Sequence, residues 1–162
     1  MGVIVDAPWC TMFKRILLAY DGSPEYRKAL RDGAELAEFC GAEVHLLAII
    51  TSSTALPIAG GVNPSDLVNE EQREIQRFLA DGVERLRKRG IKAEGRLGYR
   101  DPVDEIIATA HEIGADLIVV GHRRRNTIER WWRKSTSKNL LTVAPCSVLV
   151  SSLLEDEEVE EA

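Results

Sequence analysis

The sequence has 162 residues, 44% apolar and 29% charged, with a formal net charge of -5. That is one ordinary domain, long enough to bury roughly 70% of its unfolded surface without disulfide or metal support. No apolar run approaches the ~20 residues that span a bilayer, and residues 1–10 lack the basic-then-apolar pattern of a signal peptide, so the expectation is a soluble cytoplasmic protein.

Cys10, Cys40 and Cys146 are odd in number and far apart, with neither metal-ligand nor disulfide-framework spacing. Cys40 and Cys146 read as buried free thiols, and Cys10 as a residue preceding the first strand. The charge is unevenly spread. Residues 155–162 hold six acids and no base, and the rest of the chain holds 21 basic and 20 acidic residues. Residues 121–138 carry seven bases (Arg123, Arg124, Arg125, Arg130, Arg133, Lys134, Lys138) against Glu129 alone. The acidic end reads as a solubilising tail, or as a cover for the basic stretch that would repel free anions.

In chain order, residues 13–20 form an apolar run ending at Asp21-Gly22-Ser23-Pro24, a buried strand running into a helix. Ser23 suits an N-cap and Pro24 the first helical position; Leu30, Ala34 and Ala37 keep helical spacing until Gly41. Residues 43–50 are a second strand, too continuously apolar for a half-exposed sheet. Residues 51–64 are a loop of small residues, longer than the usual connection. Ser65 opens a long helix to Arg89, with Ile75, Leu79, Val83 and Leu86 on one face, and Gly90 stops it. Residues 91–97 are a short third strand. Asp101-Pro102-Val103-Asp104 then supplies a cap and a proline for a helix that closes at Gly114. A fourth strand spans 116–120, a short helix 135–142, and a last strand 147–151. Strands and helices alternate, and the strands are nearly all apolar. This predicts a doubly wound α/β fold, a parallel sheet with helices on both faces.

In such sheets ligands collect beyond the carboxyl ends of the strands, where strand order reverses. Asp21 and Gly121 fall at strand ends. The stretch from Gly121 to Ser135, with a helix start and several arginines, has the ingredients of an anion site. His122 follows Gly121 directly and is placed to touch a phosphate there. No P-loop, no Gly-x-Gly-x-x-Gly after the first strand and no Gly-x-Ser-x-Gly elbow is present. His45 and His111 read as structural or surface residues, no residue set has metal-ligand spacing, and no catalytic constellation demands an enzyme. Trp131 and Trp132 cannot both face one side of a helix, so one of them suggests an interface or lid. The acidic balance and the lack of a reader module argue against nucleic acid.

Four segments, taken together, resemble the universal stress protein family over residues 13–150. They are Ile16-Leu17-Leu18-Ala19-Tyr20-Asp21-Gly22-Ser23, Gly98-Tyr99-Arg100-Asp101-Pro102, Ala115-Asp116-Leu117-Ile118-Val119-Val120-Gly121 and Ala144-Pro145-Cys146-Ser147-Val148-Leu149-Val150. The resemblance implies a five-stranded parallel sheet in the order 3-2-1-4-5, like that of the adenine-nucleotide alpha-hydrolases. It also implies a homodimer paired through the last strand. It divides the chain into an extension (1–12), the family domain (13–151) and an acidic C-terminal tail (152–162). The family's nucleotide-binding branch has glycine, two residues, glycine, nine residues, then Gly-Ser or Gly-Thr. Those positions here are Gly121, Arg124, Lys134 and Ser135, so the two middle glycines are replaced. Glycine lets backbone wrap closely around phosphates, and the replacements add both bulk and charge. By the same carry-over Ala19 lines the base pocket, Asp21 lies by the adenosine, and the backbone after Gly121 and Ser135 meets the phosphates.

The expectation is a homodimeric stress-response or signalling module with a degenerate nucleotide cleft that does not hold ATP tightly, with no obligate cofactor and no metal site. The alternative is a regulatory protein binding ATP, ADP or AMP, with magnesium, through its arginine-rich loop. No general base or metal-ligand pair stands near Ser135 to support an ATPase.

Overall fold

The computed structural model of the protein describes residues 12–20, 26–50, 64–123 and 140–153. Five strands are described: β1 (Arg15–Tyr20), β2 (Glu43–Ile49), β3 (Ala93–Gly98), β4 (Leu117–Arg123) and β5 (Ser147–Leu153). They form one sheet in the order β3-β2-β1-β4-β5, and every neighbouring pair is parallel. The helices are α1 (Tyr26–Cys40), α2 (Pro64–Lys88), α3 (Pro102–Ile113) and the short α4 (Leu140–Val143). The expected doubly wound fold and strand order are therefore observed.

Alternation along β1 divides the core into two layers. Ile16, Leu18 and Tyr20 pack with Ala29, Ala34 and Ala37 of α1 and Ile75, Val83 and Leu86 of α2. Leu17 and Ala19 point the other way, into a second cluster with Val103, Ile106 and Ala110 of α3 and Leu140 of α4. Side chains on successive strand residues face opposite sides, so a strand covered on both faces must be apolar throughout. The residues of β1 after Arg15 are all buried, as are those of β2 after Glu43.

Local chemistry sets the helix ends. The Asp101 side chain accepts a hydrogen bond from the Val103 amide at 3.0 Å, with Pro102 at the start of α3. Gly114 closes α3 in the left-handed conformation, at φ 63°, where any other residue would be strained. Gly41 and Gly90 follow α1 and α2 with φ of 62° and 81°. Strand bounds differ from the expectation at both ends of the sheet. Ile91 lies before β3 rather than in it: its amide bonds back to the Leu86 carbonyl while its side chain is buried in the core. β4 and β5 run to Arg123 and Leu153, beyond the apolar residues that mark them in the sequence. Cys40, expected as a buried free thiol, is instead half-buried and disulfide-bonded. Cys146 is free and half-buried, and burial pushes its thiol above the ordinary range. Among the described residues no helix is long and apolar enough to cross a membrane.

The amino ends of the strands are tied by charge. Glu43 of β2 accepts hydrogen bonds from Arg15 Nε of β1 at 2.8 Å and from Lys92 Nζ, ahead of β3, at 2.9 Å. The bonds from Lys92 and Arg15 hold the Glu43 carboxyl down to about 2. A carboxylate lowered in this way stabilises the fold above the ordinary carboxylate range, and that contribution is lost as pH falls through its folded value. We expect Glu43→Gln to lower the urea unfolding midpoint at neutral pH. The gap from the unsubstituted protein should close as pH is lowered towards about 2; urea titrations of both proteins across that range check it.

Candidate functional site

Strand order reverses between β1 and β4, and beyond the carboxyl ends of these two strands is where a fold of this kind is expected to take a ligand. Ala19 lies there. It is 6% exposed, faces the α3 and α4 layer, and is in register with Leu47 of β2 and Val120 of β4. Gly121 is the next residue of β4, half-buried and in register with Ser151 of β5. His122 also belongs to β4, opposite Ser152. The structure thus brings Ala19, Gly121 and the His122 backbone to one end of adjacent strands. Asp21, Arg124, Lys134 and Ser135 lie outside the described residues, as do Trp131 and Trp132.

One feature of this end departs from an open phosphate cradle. β1 pairs with β4 only as far as Val120, but β4 continues for three residues, Gly121, His122 and Arg123, paired with Ser151, Ser152 and Leu153. Gly121 therefore sits within a strand ladder rather than at a turn. The first residues of the basic stretch are extended alongside β5.

A polar group that sequence reasoning missed supports this extension. Ser151 is 5% exposed and its hydroxyl donates to Asp32 Oδ2 of α1. The same carboxylate receives Lys28 Nζ, with N···O distances of 3.1 and 3.4 Å. A buried hydroxyl needs a partner, and a partly buried carboxylate needs a cation. Here each need answers another, fastening α1 to the strand that pairs with Gly121. The four-residue spacing of Lys28 and Asp32 on a helix is the only sequence signal, since Ser151 lies 119 residues from Asp32.

On the other flank, Tyr20 at the end of β1 packs its ring against Phe78 of α2, with centroids 6.2 Å apart. Tyr99, after β3, receives a hydrogen bond from Gln72 Nε2 at 3.4 Å. A cleft of about 430 Å³ opens at the opposite end of the sheet, among Lys14, Glu38, Glu43, Arg89 and Lys92. Its charges are largely matched in pairs. Arg89 grips Glu38 through two bonds of 2.6 and 2.8 Å, which hold that carboxyl below its ordinary range. It is remote from the crevice and plays no part in it. Among the described residues no group of three or more His, Cys, Asp or Glu is placed to hold a metal ion.

The fold defines the class: a doubly wound single-sheet α/β protein whose strand order reverses between β1 and β4. The chain belongs to the universal stress protein family, which it matches over residues 12–152. It is 30% identical over 148 residues to universal stress protein YxiE of Bacillus subtilis, covering 86% of this chain and 99% of that one. A crystal structure of a universal stress protein family member from Burkholderia pseudomallei is 32% identical, with a TM-score of 0.65 over 86% of this chain and 96% of that one. The universal stress protein from Archaeoglobus fulgidus in complex with dAMP is 26% identical, with a TM-score of 0.56 over 86% and 98% of the two chains.

Removing the Ser151 hydroxyl leaves Asp32, among the described residues, with Lys28 alone. We expect Ser151→Ala to cost about 1 kcal/mol, read as a lowered urea midpoint with an unchanged slope. Hydrogen exchange should quicken at the end of β5 before it does in β1.

Proposed function

We propose that this family member is a cytoplasmic, homodimeric stress-response or signalling module whose nucleotide cleft is degenerate and does not hold ATP tightly. The observation that carries this reading is the continuation of β4 through Gly121 to Arg123 in register with β5. Wrapping a triphosphate requires a chain that turns sharply and presents free amides. Ladder residues in extended conformation do not make that turn, and their amides on the β5 side are taken up by the ladder. Arginine at 124 and lysine at 134, where the nucleotide-binding branch has glycine, point the same way.

The dimer is supported by the contrast between the two sheet edges. β5 pairs on one side only, carries no charge over seven residues and leaves Leu149 38% exposed. An uncharged edge strand of that kind is a template for strand pairing. The opposite edge, β3, carries Glu94 and Arg96 and two glycines.

A second reading is favoured by the Archaeoglobus fulgidus relative, whose structure holds dAMP. In that reading the cleft takes ATP, ADP or AMP, with magnesium, and its site comprises Ala19, Asp21, Gly121, His122, Arg124, Lys134 and Ser135. Side-chain charge then replaces the glycine backbone at the phosphates.

The deciding experiment is to measure the nucleotide content of freshly purified protein together with its mass in solution, followed by calorimetric titration with each nucleotide with and without magnesium. We expect an empty dimer with no tight ATP binding. The double substitution Arg124→Gly and Lys134→Gly should then create measurable affinity. Stoichiometric adenine nucleotide in the unsubstituted protein would overturn the degenerate-cleft reading and establish the second.

The acidic residues 155–162 enter the same proposal. Arg123 and Leu153 are register partners on adjacent strands, so the basic and acidic stretches set out from points only about 5 Å apart. An acidic stretch tethered there screens anions from the cleft. Deleting residues 155–162 should raise affinity for ATP or inorganic pyrophosphate severalfold at low salt; an unchanged affinity would remove the screening role.

A further inference from the structure

His45 lies in the middle of the sheet's charged end and is used by nothing described above. Its side chain is 10% exposed, and Nδ1 is buried without a hydrogen-bond partner. Buried polar atoms are nearly always bonded, so an orphan on an ionisable ring requires an account. Each ring nitrogen faces a carboxylate slightly beyond hydrogen-bond reach. Nε2 is 3.6 Å from Glu43 Oε1 on the same strand, and Nδ1 is 3.8 Å from Glu94 Oε2 on β3. Register explains the second contact, because Glu94 is the β3 partner of His45.

We propose that His45 is a proton-operated clamp that fastens the edge strand β3 to β2 when the protein is acidified.

A neutral imidazole has one N–H and one lone pair. Between two carboxylates, one contact then sets a lone pair against an anion. The imidazolium has a donor for each side, and bringing both contacts to charge-assisted length takes about 1 Å or less on each side. Glu43 stays anionic throughout the relevant range because Lys92 and Arg15 hold its carboxyl down to about 2. Among the described residues, several other charged groups on this side of the sheet are already engaged. Arg15 of β1 and Lys92 bond to Glu43, and Arg96 of β3 binds Glu112 of α3 at 2.7 Å. Asp116, ahead of β4, accepts the Lys14 and Arg15 amides at 2.8 and 3.1 Å. Leu17, the β1 partner of His45, offers no polar atom. Glu94, with its side chain 57% exposed, is thus the group that proton uptake at Nδ1 can recruit.

The direction follows from linkage. A ring that can donate to one carboxylate when neutral and to both when protonated favours the clamped state at low pH and releases it as pH rises. β3 pairs with β2 alone, so this clamp acts where the sheet has no second neighbour to hold the strand.

The test is amide hydrogen exchange of the full chain, followed by NMR at several values between about pH 5 and 8 and corrected for the intrinsic pH dependence of exchange. β3 amides should gain protection severalfold on acidification, while β4 amides change little. His45→Gln should abolish the β3-specific gain. Glu94→Gln, at an exposed position, should do the same in a chain whose packing is untouched. Ring ¹⁵N shifts of His45 in the unsubstituted protein should show both nitrogens protonated at the acidic end. Equal changes in β3 and β4, no change in either, or a β3 gain that persists in Glu94→Gln would each overturn the proposal.

Discussion

Everything in this molecule depends on covering both faces of a parallel sheet at once. Parallel strands need crossovers, crossovers place helices on the faces, and a strand sealed above and below tolerates almost no polar side chain. β1 meets that demand most fully: it pairs with β2 and β4 and feeds both core layers. Its apolar residues hold two layers of helices together, and its carboxyl end is where strand order reverses. The same constraint that makes β1 featureless chemically makes its end the natural place for a ligand.

That constraint also decides what the sequence could disclose. β1, β2 and the first half of β4 stand out because double burial writes them as uninterrupted apolar runs. The final residues of β4 and β5 do not, because Gly121, His122 and Arg123 and then Ser151 and Ser152 carry the composition of a loop. They are strands by virtue of pairing with each other, a long-range fact. Ile91 misleads in the opposite sense, since it is apolar and buried yet sits in the turn that follows α2. For the crevice, Gly121 was read from the apolar run before it as the end of β4, which in fact continues to Arg123, and Ala19 was reached only through the family resemblance. The Ser151, Asp32 and Lys28 group was not, for no local pattern pairs a serine with an aspartate more than a hundred residues away. His45 read as a structural or surface residue because nothing near it in sequence reveals that Glu94 lies across the strand.

The two ends of the sheet divide the chemistry between them. At the amino ends, charges are dense and mostly matched: Arg15, Lys92 and Glu43 across three strands, and Arg89 with Glu38 between two helix ends. At the carboxyl ends, the described polar groups are few and serve to anchor strands and helices. The sequence that leaves β4 is rich in bases, with seven over residues 121–138 against Glu129 alone. An end that neutralises itself is suited to holding strands in register. An end with surplus charge is suited to meeting something from outside.

The unequal edges of the sheet also bear on how large an assembly can grow. A strand edge that accepts a copy of itself about a two-fold axis is consumed by that contact, and the surfaces left outermost are then the two β3 edges. These carry Glu94 and Arg96, charges that discourage further strand addition. In the proposed dimer, self-pairing through β5 would therefore close at two copies rather than open to a fibre. An uncharged edge on both sides would leave a template for further strand addition.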